Sequence, residues 1–334
     1  MTRPPLRFVE HVAAAMDTAV SIQIAEATAS SVSDAALLSR ARHAFRWFDE
    51  VEATCSRFDP ASELARLSRT ASAWPSFIPV RPLLFELLQL AIAVAAATDG
   101  AFDPTLGAAL QAHGFDRHWR TGERLPPGAA EARDGGTWRD LVLDPDRRAV
   151  AFRCPLTLDL GGIAKGFAID LAARDLADLP HLTINAGGDL YARGQSPLGS
   201  PWRIGIRDPL NTGCLAARVT VSNVAVCTSG TDQRRRADGG HHLLDPRTGR
   251  SAQSAASVTV LAPLTALADA LATAAFVLGP GAGLALLDRE HAQGLCIDAA
   301  GARHTTACSS HGTWEWITDD AALLPYQVAP HVSP

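Results

Sequence analysis

The chain has 334 residues, a formal net charge of −5, 47% hydrophobic residues and only 19% charged ones, which excludes a disordered chain. A chain of this length buries about three quarters of its unfolded surface, so it needs no disulfide or metal staple to fold. With that charge, and no basic cluster beyond Arg234-Arg235-Arg236, nucleic acid is excluded as the main partner.

Residues 1–15 read as a lead-in. Glu10, His11 and Asp17 interrupt any apolar core after Arg3 and Arg7, so no secretory signal is expected. Val20, Ile22 and Ile24 alternate and predict a first strand over 19–24. Ser33 offers an N-cap to a long helix on which Leu38, Ala41, Phe45, Phe48 and Cys55 fall near the 3.6-residue period. Pro82 opens a second helix and Gly100 closes it. Leu83 to Ala97 is read as the most apolar stretch. Glu86 and Gln89 break it, and it is too short to span a bilayer, so no membrane anchor is expected.

Residues 116–137, rich in Gly, Pro and charge, read as an exposed loop. Strands over 141–143 and 150–152 flank the turn Asp144-Pro145-Asp146, and 156–160 reads as another strand. Paired glycines follow, then a helix over about 165–179 stopped by Pro180. Strands are expected over 182–184, 190–193, 202–207, 218–221, 225–228 and 258–261. Helices over 267–278 and 283–291 and strands over 295–297 and 314–317 complete the chain. Strands and helices come in blocks, which predicts an α+β fold. The six cysteines lack C-x-x-C spacing; they predict reduced thiols and a cytoplasmic protein.

All but one of the 30 basic residues are arginine; the exception is Lys165. It stands in Leu158-Asp159-Leu160-Gly161-Gly162-Ile163-Ala164-Lys165-Gly166, where a strand runs through glycines into a helix. Glycines let a ligand approach the backbone, N–H groups at a helix start favour anions, and an ammonium adds a compact charge. The alternative is a tight turn with an exposed lysine. Thr98 to Thr105 packs two acids, a Pro and a Gly at a helix end, and Asn185-Ala186-Gly187-Gly188-Asp189 reads as a plain hairpin turn. Asp269 and Thr273, spaced i,i+4, share a helix face. A carboxylate and a hydroxyl there suit a hard cation such as Mg²⁺ completed by substrate phosphates. The alternatives are a hydroxyl bonded to its own helix and an acid near a helix N-terminus. Of the adjacent His241 and His242, one at most enters a given site.

Together these segments resemble the ApbE family of FAD:protein FMN transferases. The similarity runs from about Met16 to beyond Gly279, through Arg57 to Leu64, TDGAFDPTLG (98–107), LDLGGIAKGFAID (158–170), NAGGDL (185–190), HLLDPRTG (242–249) and ADALATAAFVLG (268–279). The resemblance implies an α+β fold of mixed sheets packed with helices, with an FAD cleft between two lobes. It implies one domain over 16–318 and a tail over 319–334. It implies that FAD is cleaved to AMP and that FMN is joined by a phosphoester to a Thr or Ser of an acceptor flavoprotein. By the same resemblance, Mg²⁺ ligands map to the carbonyl of Gly162 and the side chains of Asp269 and Thr273. FAD contacts map to Met16, Phe102, Asp103, Pro104, Asp159, Lys165 and His242. His242 is also the candidate general base, with Asp245 to orient it. Two positions depart from the family pattern: Asp17, where members often carry Gly, and Ala272, where many carry a third acidic ligand. The alternatives are an FAD pyrophosphatase giving FMN and AMP, and a non-catalytic flavin-binding protein.

Overall fold

The structure is a computed structural model that describes residues 6–28, 30–70, 76–118, 121–125, 136–211, 213–231 and 240–316. The arginine triplet, the tail over 319–334 and most of the expected loop over 116–137 lie outside the described residues.

Strand β1 (Leu6–Ala15) pairs antiparallel with β2 (Thr18–Ala27), Ala15 opposite Thr18. The segment expected as a lead-in is therefore a strand. It escapes the hydrophobic pattern because it is a sheet edge on which only Val9 and Ala15 are buried. Met16 (φ 51°) and Asp17 (φ 65°) form the two-residue turn, both left-handed. That geometry matches strand twist and is where glycine or a short acid fits best.

Helix α1 (Asp34–Cys55) begins as expected: the Ser33 hydroxyl accepts from Ala36 N at 3.2 Å. After α2 (Glu63–Thr70) and β3 (Ile78–Pro79), α3 (Pro82–Ala97) starts at its proline, and Gly100 follows with φ 77°. Next come α4 (Gly107–Ala112), β4 (Leu141–Asp144) and β5 (Ala149–Phe152), where β5 pairs with both β3 and β4 in a small sheet. The expected strand over 156–160 is only an isolated bridge, Leu106 to Thr157. Its backbone is held by the irregular segment before α4: Asp159 N donates to Pro104 O, and Gly107 N to Thr157 O.

Helix α5 (Ala164–Asp175) is shorter than expected and leads to β6 (Leu182–Ala186), β7 (Asp189–Arg193), β8 (Trp202–Arg207), β9 (Leu215–Val221) and β10 (Val224–Gly230). The short hairpin β11 (Leu244–Asp245) and β12 (Arg250–Ser251) precedes β13 (Ala255–Ala262). The chain then forms α6 (Thr265–Arg289), β14 (Gln293–Asp298), β15 (Arg303–Thr305) and β16 (Gly312–Trp316).

The main sheet has eight strands in the order β1-β2-β6-β7-β10-β13-β14-β15. Both its faces are covered. On β10, Ala225 and Cys227 join the core shared with α1, α5 and α6, while Val224 and Val226 join a second core against β8, β9 and β16. The period of two thus sorts side chains into two hydrophobic layers. The α+β expectation holds; where mixed sheets were expected, the strand pairings of the described sheets are antiparallel.

The two helices expected over 267–278 and 283–291 are the two arms of α6, separated by non-helical backbone at Gly279. Gly279 (φ 78°) and Pro280 kink α6 between them. By length and composition it could cross a membrane, unlike the Leu83–Ala97 stretch, but most of it is buried as the core helix of this protein. It crosses α5 closely. A Cβ added to Gly166 would lie 2.5 Å from Thr265 O and 2.7 Å from Ala266 Cα. Beside this crossing, Asp170 of α5 caps α6, accepting from Thr265 N at 2.8 Å and Ala266 N at 2.9 Å. Burial pushes the Asp170 carboxyl up, and those two N–H groups pull it back. Gly166→Ala is expected to lose about 1–3 kcal/mol of stability in urea denaturation, because rigid backbone stands where the methyl must go. An unchanged midpoint would show slack at the crossing.

Candidate active site

The α5–α6 crossing brings three charges together. Lys165 Nζ lies 3.0 Å from Asp189 Oδ2 and 3.7 Å from Asp269 Oδ2. Asp269 is 4% and Asp189 5% exposed. Gly166 N donates to Asp269 Oδ2 at 3.2 Å and Thr228 N to Asp189 Oδ1 at 3.1 Å. Burial pushes the Asp269 carboxyl up, Lys165 pulls it down, and Asp189 pushes it up again. The lysine is therefore no exposed turn residue; the expected hairpin is present, Gly187-Gly188 joining β6 to β7, and its Asp189 also supplies the second counter-charge. A compact ammonium fits between two carboxylates better than a planar guanidinium. The expected anion-binding N–H groups are largely spent. Gly161 N donates to Asp159, Ile163 N and Ala164 N to Leu160 O, and Gly166 N to Asp269. The positive charge at this helix start rests on Lys165.

Asp269 and Thr273 sit one turn apart on α6, and Thr273 faces Gly162. Its Oγ1 is 3.1 Å from where a Gly162 Cβ would stand, and the Phe102 ring is 3.4 Å from the same point. Any side chain at 162 would fill the space between the hydroxyl and the Phe102 ring. Ser229 Oγ lies 3.3 Å from Thr273 Oγ1. Ala272 is fully buried in the helix-side core, so an acid there would need the core to open. Among the described residues, no three His, Cys, Asp or Glu side chains cluster to hold a metal. The oxygen set of one carboxylate, one hydroxyl and one carbonyl nevertheless suits a hard divalent cation that takes part of its shell from phosphates.

The remaining expected residues form the adjoining wall. Asp103 accepts from Thr105 N at 2.8 Å, Thr105 Oγ1 at 2.6 Å and Trp138 N at 3.2 Å. Its side chain organises the 102–105 loop, with burial pushing its carboxyl up. Pro104 O receives Asp159 N at 2.8 Å. Asp159 holds the glycine turn through Gly161 N at 2.8 Å and pairs with Arg57 Nε. Arg57 also donates to Phe115 O at 2.5 Å. The Phe115 ring meets His242 edge-on, centroids 6.3 Å apart. His241 is buried, its Nε2 2.7 Å from Ala252 O, which leaves His242 as the histidine beside the wall. Asp245 is turned elsewhere: both its oxygens are engaged by Arg247, at 2.8 and 2.9 Å. Arg247 thus ties it into the turn between β11 and β12. Met16 is fixed by its backbone N–H, which donates to Glu52 at 3.0 Å.

Asp189 and Arg57 are the site residues that motif reading passed over. The signal for Asp189 was the lysine itself, since a half-buried ammonium needs acids around it. The signal for Arg57 was its place just past α1, as the first residue of the family-like segment 57–64.

The ApbE family pattern matches residues 16–296. The chain is 30% identical to the FAD:protein FMN transferase of Haemophilus influenzae, over 72% of this chain and 73% of that protein. It is 37% identical to that of Rhodobacter capsulatus, over 65% of this chain and 42% of that protein. The crystal structure of the ApbE protein from Thermotoga maritima superposes with a TM-score of 0.77 at 27% identity, covering 90% of this chain and 97% of that one.

Lys165→Met is expected to lose about 3 kcal/mol, because it leaves two buried carboxylates unbalanced. Adding Asp189→Asn should recover part of that loss. Urea denaturation of the two single variants and the double variant checks it; strictly additive losses would show that the pair is not coupled.

Proposed function

The chain belongs to the ApbE family, and from that premise we propose that it is a Mg²⁺-dependent FAD:protein FMN transferase. It binds FAD in a cleft at the α5–α6 crossing, releases AMP and joins FMN through a phosphoester to a Thr or Ser hydroxyl of an acceptor flavoprotein. The observation that carries this reading is the convergence of Lys165, Asp269, Thr273 and Gly162 at one crossing. The relatives' common activity supports it.

Mg²⁺ would be held by the Gly162 carbonyl, Asp269 and Thr273; when bound it offsets the charge of the diphosphate. Lys165, kept between Asp189 and Asp269, presents its ammonium to a phosphate oxygen. Asp159 holds the glycine turn, whose Gly162 carbonyl would be one of the metal's ligands. His242 takes the proton of the acceptor hydroxyl as that oxygen attacks phosphorus and the AMP phosphate leaves. The six cysteines form no disulfide; that suits a reducing compartment, and a cytoplasmic location is part of the proposal.

FAD, Mg²⁺ and an acceptor flavoprotein are expected to give a fluorescent acceptor band on a denaturing gel. AMP release at one rate with or without acceptor, and no band, would make the protein a pyrophosphatase instead. Asp269→Ala is expected to lower metal-dependent turnover by about 100-fold or more, since a metal ligand supplies several kcal/mol of charge stabilisation. Circular dichroism should show the fold retained. Undiminished turnover would remove Asp269 from the site.

A further inference from the structure

Arg57 is 9% exposed. Its Nε pairs with Asp159, its Nη2 donates to Phe115 O at 2.5 Å, and its guanidinium lies over the Phe58 ring at 4.1 Å. Nη1 is buried, yet among the described residues it has no hydrogen-bond partner. A buried donor without an acceptor is costly, and a guanidinium N–H more so than a neutral one. An acceptor from outside the chain would remove that cost.

The surroundings say which acceptor. Asp159 balances the charge of Arg57, so the unused edge offers a directional N–H and little net attraction for an anion. The phosphates already have Lys165. Asp159 leads directly to the Gly161-Gly162 turn, and Phe115 leads to His242. The unused edge therefore belongs to the same wall as the reacting residues. The Phe58 ring lies against the guanidinium, and the Phe115 backbone carbonyl takes its Nη2. A flat ring carrying a neutral carbonyl oxygen fits this environment. Resting on the transferase reading, we propose that Arg57 is a flavin-binding residue, Nη1 donating to a carbonyl oxygen of the isoalloxazine ring.

Arg57→Lys separates this role from a structural one. The lysine keeps a cation beside Asp159 but has no second edge. Titrations of the full chain with FAD, FMN and ADP are the measurement. Affinity for FAD and FMN is expected to fall about ten- to a hundred-fold, with ADP affinity and melting temperature near those of the unsubstituted protein. Unchanged FMN affinity would overturn the proposal, and so would an equal loss for ADP. Should Arg57→Lys unfold, infrared spectra of FMN bound to the unsubstituted protein decide: a carbonyl stretch shifted down from its unbonded position supports the contact, and an unshifted one overturns it. Failure of the unsubstituted protein to bind FAD or FMN would instead sink the transferase reading itself.

Discussion

Gly166 lets the backbone of α5 come against the first turn of α6, and the catalytic geometry proposed here depends on that approach. The same crossing is fastened twice by carboxylates. Asp170 of α5 caps the start of α6, and Asp269 of α6 accepts from Gly166 N on α5. One acid ties each helix to the other. The depth of the crossing and the rotation of α6 are fixed together, and rotation decides where Asp269 and Thr273 point. A looser crossing would keep the fold and scatter the oxygens.

Two ion pairs serve this arrangement in different ways. Lys165 sits between two acids as a compact charge, with three donors to share. Arg57 is held by one acid and one carbonyl, and its plane leaves an edge over. The chain places its single lysine where a point charge is needed, and an arginine where a rigid fork is needed. Both pairs are buried enough that removing one partner leaves a charge stranded, so neither is a surface ornament.

Most of the fold was legible because its elements announce themselves locally. Ser33, Pro82 and the alternation over 20–24 are short-range signals, and the elements start where those signals stand. What failed was long-range. Residues 6–15 look irregular alone because an edge strand buries few of its side chains. Residues 156–160 look like a strand, but their backbone partners are an irregular loop over fifty residues earlier. By contrast, the helices over 267–278 and 283–291 read as two from the stop chemistry of Gly279-Pro280, and the backbone does leave the helical region at Gly279. In the site, Asp269, Thr273, Gly162 and Lys165 were visible as a motif. The roles of Asp189, Arg57 and Asp170 were not, because each is defined by a partner distant in sequence. Asp245 has a partner that nearness to His242 along the chain did not suggest, Arg247.

The kink at Gly279 divides α6 into a half that carries the proposed site and a half that does not. The left-handed glycine interrupts the helical ladder, so a tilt of the distal half is absorbed at the hinge before it reaches Thr273. A Cβ at Gly283 would stand 2.4 Å from the Ala275 carbonyl, so glycine lets the two arms approach closely across the kink. The distal half is thereby released from the tolerances of the chemistry. It can drift in sequence, follow changes in β14 or accept a new surface without retuning the reacting groups. In this helix a break in regular structure acts as mechanical insulation, and it lets one core element answer to two sets of demands.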